Sequence, residues 1–98
     1  MATMEQIRLL GYEAARKRAE RTNAGNANSF AAHSISQKVE CVFRNTEPDY
    51  LKLIELQSYL SMDLHSVFDT GGDEKAMKRN ASAFVGGAMA FASDNPDD

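Results

Sequence analysis

A chain of 98 residues has room for one domain and not two, and with 43% hydrophobic and 26% charged residues it is neither a disordered segment nor a fibre. The single cysteine, Cys41, excludes an internal disulfide, and no basic leader precedes an apolar run, so the chain reads as the product of a reducing, cytoplasmic compartment. The net charge of −3 is unevenly spread: residues 1–22 carry a local +2, while residues 40–74 carry a local −6, which disfavours a general nucleic-acid binder.

The first predicted helix spans 4–21. Thr3-Met4-Glu5-Gln6 has capping-box spacing, a hydroxyl at the N-cap with an amide three residues on. Ile7, Leu10 and Ala14 recur at helical intervals, but little apolar bulk follows Leu10. The tract from Thr22 to Asn28 is small and polar, and such side chains compete for backbone hydrogen bonds and break helices. The second helix spans 29–44, with Ala31, Ile35, Val39 and Val42 as one stripe.

Thr46 is the expected N-cap of a third helix over 47–68, since Pro48 is tolerated only in a first turn. Leu53, Leu56, Leu60, Leu64 and Val67 line one side of it, and Tyr50, Leu51 and Ile54 widen that side into a broad apolar face. Gly71-Gly72 is read as its C-cap. Asp73 then caps a fourth helix over 74–93, which Asn80 could divide into a polar and an apolar piece, and residues 94–98 are expected as a disordered tail. No stretch alternates with period two, so the fold class is all-α, a single domain of about four helices.

The last helix contains SAFVGGAMAFAS, an uncharged run too short for a membrane span, which needs about 20 apolar residues. Met77, Ala81, Phe84, Val85, Ala88, Phe91 and Ala92 form a packing stripe. Rotated from it, Ala83, Gly87 and Ala90 form a smooth strip with Gly86 beside it. Glycine inside a helix costs about 1 kcal/mol relative to alanine, so a close backbone neighbour is expected there, either another helix of the same chain or a second subunit.

Arg8, Tyr12 and Arg16 share one face of the first helix and offer the one chemically suggestive cluster, an anion or nucleotide site of arginine planes around a phenol ring. Glu5–Arg8, Glu13–Lys17 and Arg16–Glu20 sit at intrahelical pairing distances, as on a merely solvated helix. His33 is expected at the surface and Cys41 buried or half-buried. Asp63 and His65, at i and i+2, point apart on a continuous helix. No spacing resembles a metal site, a phosphate loop or a catalytic motif, so no metal, cofactor or catalytic residue is assigned. The expected function is a small cytoplasmic protein–protein interaction module, self-associating through Ala83, Gly86, Gly87 and Ala90 and acting as an accessory or a regulatory or inhibitory protein on a larger complex, with itself and/or another protein as partner. The alternatives are a small-molecule or nucleotide binder at Arg8, Tyr12 and Arg16, and third a nucleic-acid binder; catalysis and a membrane are not expected.

Overall fold

The computed structural model describes residues 2–22 and 25–97. Five helices follow in order, α1 (Met4–Arg21), α2 (Ala27–Arg44), α3 (Asp49–Leu60), α4 (His65–Phe68) and α5 (Glu74–Asp94), and the chain is a small all-α bundle. Among the described residues no helix is long and apolar enough to cross a membrane.

α1 starts as the capping box predicts: the Gln6 N–H donates to the Thr3 hydroxyl at 3.1 Å, and the Thr3 N–H donates to the Gln6 side chain at 2.9 Å. α2 begins two residues earlier than expected, and Asn26, its N-cap, makes no side-chain cap. The cap comes from the other end of the chain. The Asp97 carboxylate accepts from the N–H groups of Asn28 and Ser29, both at 3.0 Å, so it satisfies two of the donors that a helix start leaves open. Asn28 Nδ2 also donates to the Asn95 carbonyl at 2.7 Å. Of the expected tail, Asp94 is the last residue of α5, Asn95 and Asp97 are hydrogen-bonded to α2, and position 98 lies outside the described residues.

The expected third helix is two. Ser61 adopts φ 54°, ψ 45° and closes α3 in the left-handed conformation, with the Met62 N–H donating back to the Gln57 carbonyl at 3.3 Å. The Gln57 side chain then accepts from the Leu64 N–H at 2.8 Å, which holds the turn. The break turns α4 so that Leu64, Val67 and Phe68 all enter the core. Three smaller expectations change with it. The N-cap of α3 is Pro48 rather than Thr46, because a residue before proline is pushed out of the helical region. Gly71 and Gly72, both at positive φ, form the α4–α5 turn instead of capping α3. Asp63 and His65, no longer on a regular helix, do meet: Asp63 Oδ1 lies 2.8 Å from His65 Nδ1 and accepts from the His65 N–H at 3.0 Å.

Asp73 caps α5 as expected, accepting from the Ala76 N–H at 3.1 Å. Asn80 does not divide the helix. It is buried within a continuous α5, and its Nδ2 donates to the Val67 carbonyl at 2.6 Å, tying α5 to the end of α4.

Arg18 Nε donates to Ser34 Oγ at 2.8 Å across the α1–α2 hairpin, and the start of α2 meets the residues after α5. α2 therefore runs against both α1 and α5, which leaves α1 and α5 pointing the same way. These two approach unusually closely. A Cβ built on Gly11 would lie 1.9 Å from the Phe84 carbonyl oxygen, and one on Gly87 would lie 1.9 Å from the Arg8 carbonyl oxygen. Gly11, Ala14, Ala15 and Ala19 supply the rest of the small α1 surface, which is why this helix carries so little bulk after Leu10. Close backbone contact replaces large side chains with many short-range dispersion contacts. Around this crossing the core is filled by Ile7, Ile35, Val42, Leu56, Phe68 and Phe84, with the Phe68 and Phe84 rings 5.7 Å apart.

Candidate functional site

Of the expected anion cluster, Arg16 is taken. Its Nη2 lies 2.5 Å from Glu13 and its Nη1 2.6 Å from Glu20, and the guanidinium beside Glu13 holds that carboxyl below its usual range. Tyr12 is half-buried, its ring set edge-on to Phe91 at 5.4 Å and its hydroxyl accepting from Asn95 Nδ2 at 3.2 Å. Arg8 is exposed. The three share a face, but two of them are engaged with the protein itself.

The smooth strip of α5 divides in a similar way. Gly87 is buried against the main chain of α1, so the close neighbour it requires is a helix of the same chain. Ala83 is half-buried, whereas Gly86 and Ala90 are exposed, and a Cβ on Gly86 would meet nothing within 4 Å. Sequence reasoning missed Gly11, the other half of this crossing. Its signal was available as Gly11-x-x-x-Ala15-x-x-x-Ala19, small residues at every fourth position.

Among the described residues, the densest group of exposed large apolar side chains is on α3. This helix buries only Leu53 and Leu56, against α2 and the helices beyond it, and leaves Tyr50 64%, Ile54 52% and Leu51 36% exposed. The other exposed large apolar residues among those described are Leu9 on α1, Phe30 on α2 and Met89 on α5, so α3 alone carries three within two turns. Beside Tyr50 runs a groove of about 370 Å³ between the start of α3 and the turn after α4. Its floor is Leu53, Phe68 and Met77, and Asp49, His65 and Asp69 stand at its rim.

Comparison with known proteins finds no family model, no curated protein and no solved structure that matches the chain.

The charges around the groove are mostly acidic. Asp63, next to it in the chain, is held below the usual carboxylate range by the His65 N–H and ring. Glu47 is exposed just ahead of α3. Lys52, on α3 between Asp49 and Leu53, has its Nζ over the Phe43 ring at 5.9 Å. An apolar floor with an acidic border suits an apolar side chain flanked by cations. His33 is exposed, as expected. Cys41 is exposed rather than buried, because it falls on the outward side of α2 between the core residues Val39 and Val42. Among the described residues no group of three His, Cys, Asp or Glu gathers as metal ligands would.

Proposed function

We propose that the protein is a protein–protein interaction module, and that the first two turns of α3 with the adjoining groove form its contact surface. The occupant is a helical segment of another protein that presents apolar side chains flanked by Lys or Arg, and the module acts as an accessory of that partner's assembly. The observation that carries this reading is the group of Tyr50, Leu51 and Ile54, three large apolar side chains in water beside an acid-rimmed apolar groove. Aromatic and aliphatic anchors of this kind supply most of the affinity in protein interfaces, while the charged rim steers the encounter.

Self-association draws no support from Gly87, whose neighbour is α1. The test therefore separates the two occupants. Light scattering across a dilution series, for the protein and for Ile54→Glu, reads the second copy directly: a mass that doubles with concentration and reverts in the variant assigns the patch to the chain itself and overturns the heterologous reading. In parallel, amide chemical shifts are followed while a basic amphipathic helical peptide is added. Saturable changes at residues 49–54 and 69–72, lost in Tyr50→Ser and in Ile54→Glu, are expected. Shifts scattered over the whole surface, or none, would reject the α3 site.

A further inference from the structure

The C-terminal half of α1 sorts its charges onto two sides. Glu13, Arg16 and Glu20 satisfy one another. Lys17, Arg18 and Arg21 recur with Ala14 at i, i+3, i+4 and i+7 and so share the other side. Among the described residues no ion pair reaches any of these three cations. α3 runs back along α2 and sets Tyr59 and Leu60 against them, enclosing a recess of about 180 Å³ floored by Ala14 and edged by Thr22.

Arg18 is held in place there. Its guanidinium carbon stands 4.4 Å from the centre of the Tyr59 ring, and its Nε donates to Ser34 Oγ, so the plane is fixed while the terminal nitrogens stay available. Lys38 approaches the same ring at 5.2 Å but is neutralised by Glu55. Cations near a helix C-terminus ordinarily serve its open carbonyls. Here Thr22 already does so, its hydroxyl donating to the Arg18 carbonyl at 2.9 Å and its N–H to the Ala19 carbonyl at 3.1 Å. Arg18 is fixed by Ser34 and Tyr59 and Lys17 acts on Glu13 only at longer range, so the three positive charges gather around a polar recess without a carboxylate of the described residues paired to any of them.

We propose that this recess binds a phosphate-type oxyanion, as inorganic phosphate or as the phosphate of a small ester. Three cations on adjacent turns match a doubly charged tetrahedral group, and a fixed arginine plane offers paired donors to two of its oxygens. The volume lies below the range of about 300–1,000 Å³ usual for larger ligands, so an ion or a head group fits and a whole nucleotide does not. The site is separate from Arg8, Tyr12 and Arg16, and it does not depend on the α3 docking surface.

The test is a titration of the protein with inorganic phosphate, followed by amide chemical shifts and by thermal unfolding at constant ionic strength, with chloride and sulfate as comparison anions. Saturable shifts at residues 17–22 and 59–60 are expected, with a rise in Tm that grows with phosphate concentration. Arg21→Gln and Lys17→Gln, which break no ion pair of the described residues, should each weaken binding by about tenfold, the effect of losing one charge-assisted hydrogen bond. Arg18→Gln should weaken it further, and if that variant is poorly folded, Tyr59→Leu reads the loss of the fixed plane instead. O-phosphoserine separates the sources: tighter binding than phosphate identifies an ester head group, and equal binding identifies the free ion. Shifts that chloride reproduces, or phosphate affinity unchanged in both Arg21→Gln and Lys17→Gln, would overturn the proposal.

Discussion

A methyl group at position 86 would project into open space, whereas the same group at position 87 would overlap the main chain of α1. Two alanine substitutions one residue apart are therefore expected to act in opposite directions. Gly86→Ala should stabilise the protein by about 1 kcal/mol, the difference in helix propensity. Gly87→Ala must push two helices apart at their closest point and should destabilise it by about 3 kcal/mol or more, as overpacking of a rigid contact does. Urea unfolding of both variants checks this, and a stabilised Gly87→Ala would show that the helices do not cross there. The paired glycines were legible as a sign of close approach, because nothing else compensates their low helix propensity. Which of the two is buried was not legible, since that depends on the azimuth at which α1 meets α5. Gly11 alone, near the middle of a polar helix, looked unremarkable until its partner was known.

The helix ends capped by a side chain three residues away were read correctly; the start of α3, the break at Ser61 and the cap of α2 were not. Thr3 with Gln6, and Asp73 with Ala76, are caps formed within four residues, so the sequence carries them on its surface. The break at Ser61 is different, because the leucine stripe continues across it and gives no periodicity signal. A serine held at φ 54° is strained relative to glycine there. Ser61→Gly should raise stability by about 1 kcal/mol with the α3–α4 turn unchanged, and a loss of stability on thermal unfolding would contradict the left-handed cap. The cap of α2 is the most distant of all. Asp97 is held below its usual range by the Ser29 and Asn28 N–H groups. A carboxylate whose native pKa is depressed stabilises the fold above the ordinary aspartate value of 3.8 and loses that contribution as the pH falls through the native value. Asp97→Asn should thus lower Tm near neutral pH, and the gap to the parent protein should close in acid. A gap independent of pH would mean that the carboxylate does not cap α2.

On the scale of the whole molecule, the two surfaces singled out above lie at opposite charge and in different chemistry. One is acidic and apolar, on α3; the other is basic and polar, between α1 and the end of α3. The sequence placed the acidic excess in residues 40–74 and the basic excess in residues 1–22, and this coarse polarity survives folding. What it hid was the use of each apolar residue. The broad apolar face of α3 has one side packed and the other in water, and a helix with a wide stripe does not announce which part will find a neighbour. The same holds for Lys17, Arg18 and Arg21, which read as solvated charge until Tyr59 is brought against them from 38 to 42 positions further along.

The Asp97 cap also has a consequence in time. Asp97 follows Ser29 by 68 residues, so a ribosome working at about 5–20 residues per second needs roughly 3–14 s to deliver the carboxylate after the start of α2 has been made. Throughout that interval the leading amides of α2 can be served only by water or by another molecule. The nascent hairpin is left waiting for a part that arrives after every other helix has been synthesised.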